Sequence, residues 1–223
     1  MSESAAPLVT TGLTHSYPRA DGPVLTEVGV SFSWSELTAI WGPSGSGKST
    51  FLSLLGLLMA PSEGKVIVMG TDAWSSPRQA RALRASSYAW VLQNSACLEA
   101  RSALDNVMVG VRSGGAARDQ ARDVATEALH LVGLEHRLFA RASELSGGEL
   151  QRMTVARAFA QGRPIVLADE PTGQLDRQSS QTVATALRSL AASGCAVVVA
   201  THDQALAAGC DRVLAVADGR IGS

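Results

Sequence analysis

A chain of 223 residues with 46% hydrophobic and 17% charged side chains buries a substantial core unaided, which excludes a stapled mini-protein and a disordered chain. Its 19 basic residues against 20 acidic ones give a formal net charge of -1, so no overall basic field exists to hold nucleic acid by phosphate neutralisation. Cys97, Cys195 and Cys210 are widely spaced and include no C-x-x-C pair, which argues against a disulfide framework or zinc site and for buried thiols in a reducing compartment.

The N-terminal residues 1–7 lack a basic stretch followed by an apolar one, and the apolar runs are far shorter than the ~20 residues of a spanning helix. The expectation is a cytosolic chain that does not itself cross a membrane. Short β-rich runs at 8–13 and 28–34, with turn residues between them, predict an antiparallel edge that a third run at 65–69 joins. The apolar run 37–41 is followed by a helix-like stretch over 50–59. Further apolar runs at 88–92, 165–168, 196–201 and 213–216 suit parallel strands covered by helices on both faces.

Between these runs, helical spacing links Ala121, Val124, Ala125, Ala128, Leu129 and Val132, and again Val183, Leu187, Leu190 and Ala191 before Gly194. Strand and helix alternate, so the class is α/β with a mostly parallel core sheet. No central strand follows Leu92 before about residue 141, and the Ser- and Gly-containing stretch 112–116 is read as opening a helix-rich insertion. Asp218-Gly219 is a hairpin signal for a last strand pair. The organisation expected is one domain over 1–223, with a core and small antiparallel β subdomain over about 1–92 and 160–223 and a helical subdomain over about 93–159.

Gly42, Pro43, Ser44, Gly45, Ser46, Gly47, Lys48 and Ser49 fit G-x-x-x-x-G-K-[ST] at every fixed position, after an apolar run and before a helical one. Glycines let successive N–H groups face one anion, and the helix that follows adds its positive end. Lys48 supplies a point charge to β- and γ-phosphates, and Ser49 can ligate Mg²⁺. In Pro164-Ile165-Val166-Leu167-Ala168-Asp169-Glu170 the first charges arrive together at a strand's carboxyl end, where open parallel sheets bind ligands. Alone, such a pair reads equally well as a solvated strand end. Beside a phosphate loop, Asp169 completes a magnesium site with Ser49, and Glu170 can orient or deprotonate the water that attacks the γ-phosphate.

Leu145-Ser146-Gly147-Gly148-Glu149-Leu150-Gln151 combines the S-x-x-E spacing of a capping box with two adjacent glycines, ahead of a helix running through Phe159. On physics alone it reads first as an ordinary cap. Its bare N–H groups also suit an anion, and as the first loop already covers one side of a nucleotide, this one would cover a nucleotide held by another subunit. That predicts a dimer with two shared sites.

Residues 42–50, the stretch from Leu145 to Gln151, Asp169-Glu170, Leu175-Asp176 and His202, in this order, resemble the nucleotide-binding subunit of an ATP-binding cassette transporter over essentially the whole chain. The resemblance implies a P-loop NTPase fold, ATP and Mg²⁺ as cofactors, and ATP hydrolysis by two subunits closing head to tail on two ATP molecules. Each subunit would use its own loop, through Thr50, and the other's Ser146, Gly147, Gly148 and Glu149. It further implies that Tyr17 stacks on adenine and that Gln93 touches Mg²⁺ or the water. The segment Gly173-Gln174-Leu175-Asp176 would cross the dimer interface, and His202 would contact the γ-phosphate.

The implied partners are a membrane-spanning permease subunit and a second copy or second nucleotide-binding subunit, with no nucleic acid, on the inner face of the cell membrane. Pro171-Thr172-Gly173 and Leu54-Leu55-Gly56-Leu57-Leu58 resemble the macrolide-exporter and lipoprotein-release group and its cell-division relative, which implies an exporter or an amphiphile-extruding system. Trp41, Leu92 and Gln174 depart from that pattern. An ATP-driven switch of a membrane protein that moves no solute would leave the same residues. A nucleic-acid-acting cassette ATPase would need a long coiled-coil insertion, and none is present.

Overall fold

The computed structural model describes residues 6–18, 22–92, 97–173 and 175–222. In chain order the elements are β1 (Leu8–His15), β2 (Leu25–Phe32), β3 (Leu37–Trp41), α1 (Lys48–Leu55), β4 (Glu63–Val68), β5 (Thr71–Asp72), α2 (Pro77–Ser87), β6 (Tyr88–Val91), α3 (Ala103–Ser113), α4 (Arg118–Leu131), α5 (Gly147–Ala160), β7 (Ile165–Asp169), α6 (Arg177–Ala192), β8 (Ala196–Thr201), α7 (Gln204–Ala208), β9 (Arg212–Ala217) and β10 (Arg220–Gly222). Among the described residues, no helix is long and apolar enough to cross a membrane.

Two sheets result. One is antiparallel in the order β2-β1-β4-β5; the other runs β10-β9-β3-β8-β7-β6 and is parallel apart from the terminal β9–β10 hairpin. The inner strands of the larger sheet are apolar at nearly every position because each face has its own core. Val166, Ala168, Val197 and Val199 join the helices α3 to α6 on one side. Ile165, Leu167, Val198 and Ala200 pack with α1 and the antiparallel sheet on the other. A period of two along a strand buried on both faces therefore reads as a continuous apolar run.

Strand order is what assembles the site. β8 lies between β3 and β7, pairing Trp41 with Thr201 and Asp169 with Ala200. The carboxyl ends of three strands that are distant in sequence thus stand side by side, which is where parallel sheets bind ligands.

Three expectations need correction. The helix after the phosphate loop stops at Leu55, not Met59: a Cβ on Gly56 would lie 1.9 Å from the Trp90 ring, and Leu57 has φ 58°. The stretch at 112–116 does not open the helical region; it joins α3, which had no expected counterpart, to α4. The three thiols are half-buried rather than buried, and all are free; burial pushes the Cys210 thiol up to about 11.

Candidate functional site

The loop 42–47 connects β3 to α1. Gly45 (φ 79°) and Gly47 (φ 100°) adopt left-handed backbone that a side chain would strain, and a Cβ on Gly42 would sit 2.8 Å from the Val216 carbonyl oxygen. The chain therefore curls tightly around the N-terminus of α1. Lys48, only 6% exposed, donates from Nζ to the carbonyl oxygens of Gly42 and Pro43, both at 2.9 Å. An ammonium has three N–H donors, so one remains for a further acceptor. Glu170 Oε1 stands 3.9 Å away.

Ser49 donates its hydroxyl to Asp169 Oδ1 at 3.1 Å, bridging α1 and the end of β7. Burial pushes the Asp169 carboxyl above its usual range; the Ser49 hydrogen bond opposes this, the Glu170 charge adds to it, and the Lys48 charge opposes it. Two hard oxygens, one hydroxyl and one carboxylate, suit a small divalent cation that draws its other ligands from phosphate and water. Among the described residues, no cluster of three or more His, Cys, Asp or Glu side chains offers an all-protein metal cage.

Glu170 has φ 45°, a left-handed conformation that few non-glycine residues adopt, so the turn after β7 aims its side chain at some cost in strain. The carboxylate is mostly buried. Its Oε2 lies 2.9 Å from His202 Nδ1 and accepts from the His202 N–H and the Thr201 hydroxyl, both at 3.4 Å. A cleft of about 750 Å³ is lined by Tyr17, Val24, Pro43, Ser44, Gly45, Gly47, Lys48, Ser49, Thr50, Glu170 and His202. Tyr17 is 41% exposed there, and its hydroxyl is 3.1 Å from that of Thr50. Gly42 and Ser46 do not line this cleft.

The second glycine-rich segment forms the reciprocal box its spacing predicts. The Ser146 hydroxyl accepts from the Glu149 N–H at 3.3 Å, and the Glu149 carboxylate accepts from the Ser146 N–H at 2.8 Å. Glu149 also meets Arg137 at 3.1 Å. Burial pushes the Glu149 carboxyl up, but its hydrogen bonds with Ser146 and the charges of Arg137 and Arg152 outweigh that and hold it below its ordinary 4.5. A lowered carboxyl contributes stability that is present above its unfolded value and lost as pH falls through the folded one. Glu149→Gln, with no charge to titrate, should therefore lose less thermal stability than the parent between about pH 5 and pH 3; identical acid profiles in thermal melts would contradict this.

Gly148 is closely packed, as a Cβ there would lie 3.1 Å from Ser179 Oγ, whereas one on Gly147 would meet nothing within 4 Å. Asp176 caps α6, accepting from the Ser179 N–H at 2.8 Å and its hydroxyl at 3.0 Å, bonds that hold its carboxyl below the usual range. Of the residues singled out in the sequence, the structure thus gathers Tyr17, Pro43, Ser44, Gly45, Gly47, Lys48, Ser49, Thr50, Glu170 and His202 around one cleft, with Asp169 joined to it through its hydrogen bond from Ser49. Ser146, Gly147, Gly148, Glu149 and Asp176 do not line it. Gln93 and Gln174 lie outside the described residues. The sequence reading missed Val24, which carries no motif, and Thr201, whose only signal was its place beside His202.

Several known proteins are similar to this chain. A family model described as ABC transporter matches residues 25–173. The macrolide export ATP-binding/permease protein MacB of Chromobacterium violaceum is 40% identical over 221 residues, covering 98% of this chain and 34% of that protein. MacB of Rhodopseudomonas palustris is 38% identical over 215 residues, covering 95% and 33%. The chain spans about a third of the length of these curated relatives. Among solved structures, the dimeric bacterial ABC transporter cassette MJ0796 superposes with a TM-score of 0.87 at 31% identity over 97% of both chains. The same cassette in a post-hydrolysis state bound to ADP and Pi gives 0.87 at 30% over the same shares.

Proposed function

Because the chain belongs to the ATP-binding cassette transporter family, we propose that it is an ATP-hydrolysing subunit that closes with a second copy, or a second nucleotide-binding subunit, on two ATP molecules to drive a membrane-spanning permease. The observation that carries this reading is the division of the site. One set of residues converges on a cleft of nucleotide size, while the Ser146 cap stands apart with its first glycine open to solvent. The loop half keeps one Lys48 N–H donor without an acceptor among the hydrogen bonds it makes to Gly42 and Pro43, and the two halves together suit the two faces of a nucleotide held between subunits.

Within the cleft Tyr17 stacks on the base, the loop N–H groups and Lys48 hold the β- and γ-phosphates, and Ser49 with Asp169 holds Mg²⁺. An ion held there by Ser49 and Asp169 would supply positive charge to offset the negative charge developing on the transferred phosphoryl group. Glu170 orients the attacking water and accepts its proton; His202, in contact with the same carboxylate, fixes its direction and reaches toward the γ-phosphate. From a second subunit, the Ser146 hydroxyl and the N–H groups of Gly147 and Gly148 cover the phosphates from the other side. Likeness to the macrolide export ATP-binding/permease protein MacB supports a role in export; the subunit would be held at the cytoplasmic face of the membrane by its permease.

Lys48→Ala removes a buried cation facing both anions and should weaken ATP binding by about 30-fold or more; unchanged binding by calorimetry would contradict the loop's role. The whole reading is tested by purifying tagged Glu170→Gln with ATP from detergent-solubilised membranes. A multi-spanning permease in the complex supports it, and a soluble coiled-coil or nucleic-acid-bound partner overturns it.

A further inference from the structure

Tyr17 is tethered at its hydroxyl to Thr50. That bond lies on the ring's long axis, so it holds the tip of the side chain but leaves rotation about that axis free. A stacking platform needs its plane fixed as well. The group that blocks rotation is His15, the last residue of β1: its ring stands at 90° to that of Tyr17 with centroids 5.0 Å apart. His15 is 8% exposed, and neither ring nitrogen has a hydrogen-bond partner among the described residues. The imidazole therefore acts here as a flat packing surface. Its main-chain oxygen accepts from the Val24 N–H at 2.8 Å, and Val24 also lines the cleft beside Tyr17.

We propose that His15 is a positioning residue for the base end of the cleft, setting the plane of the Tyr17 ring with its side chain and the place of Val24 with its carbonyl. The inference rests on the reading of Tyr17 as the surface on which adenine stacks. A ring already held in its bound orientation loses little freedom when a base lies on it, so His15 contributes to nucleotide affinity without touching nucleotide. Phosphate binding, which belongs to the loop and Lys48, is independent of it.

The test measures KM and kcat for ATP together with competitive inhibition by inorganic tripolyphosphate, which has the phosphates but no base. His15→Leu, which keeps an apolar side chain but loses the perpendicular ring, should raise KM for ATP about three- to tenfold, leaving kcat and tripolyphosphate inhibition unchanged. His15→Phe, which keeps the ring, should restore the parental KM. Unchanged KM in His15→Leu, failure of Phe to restore it, or an equal loss for ATP and tripolyphosphate would each overturn the proposal. Tyr17→Ala separates the two readings. If it weakens ATP selectively while His15→Leu does nothing, the His15 inference fails alone; if it weakens ATP and tripolyphosphate alike, the stacking reading fails and takes the inference with it.

Discussion

Glu170→Gln is expected to bind ATP normally and to hydrolyse it about 10² to 10⁴ times more slowly, the usual contribution of a positioned general base. The fold should survive the change. Glutamine is isosteric with glutamate and no less able to take the φ of 45° at this position, and its amide oxygen can still accept from the His202 backbone N–H. The change removes one of two adjacent carboxylates, and the Glu170 charge is one of the causes that raise the Asp169 carboxyl. The divalent site at Ser49 and Asp169 is therefore expected to stay competent, so slow turnover cannot be traced to a lost ion. With nucleotide bound and hydrolysis blocked, the closed dimer should accumulate in light scattering. Parental turnover in the variant would remove Glu170 from the mechanism.

How much of this was legible in the sequence follows from which contacts are local. The phosphate loop is eight consecutive residues whose conformation depends on its own glycines and the helix it feeds, and Gly45 and Gly47 supply the left-handed backbone that lets it curl. The Ser146 box is likewise closed within four residues. The insertion of β8 between β3 and β7 is different in kind: it is decided by pairing between strands more than 150 residues apart at the Leu37–Val197 register, and no local pattern announces it. The β7–β8 pairing sets Glu170 beside His202, and the β3–β8 pairing brings the phosphate loop to them.

Two of the three unforeseen helices, α2 and α3, have separate explanations. α2 buries only Ala80 and Ser87, so it carries almost no apolar stripe, although Ser76 and Pro77 form a recognisable start. α3 is capped by Ser102 through the Asp105 N–H, a signal present in the sequence but overshadowed by the Ser- and Gly-rich turn that follows. The early stop of α1 belongs to tertiary packing, since Gly56 is where the Trp90 ring lies against the backbone.

Gly147→Asp should separate stability from activity most sharply. In the single chain a Cβ there would meet nothing within 4 Å. Position 147 is also the first residue of α5. Replacing glycine in a helix limits the freedom of the unfolded chain, and a carboxylate in the first turn interacts favourably with the helix dipole; each effect contributes about 0.3–1 kcal/mol. The variant should thus melt no lower than the parent and bind ATP in its own loop with parental affinity. Yet the carboxylate would occupy the N–H surface that another subunit's phosphates need, adding negative charge and bulk against them. ATP turnover is expected to fall by about two orders of magnitude or more, the scale of several kcal/mol of lost complementarity. In the Glu170→Gln background, ATP should no longer drive dimer closure. A closed dimer of the double variant in light scattering would show that the Ser146 cap is only a cap, and the shared-site reading would fall with it.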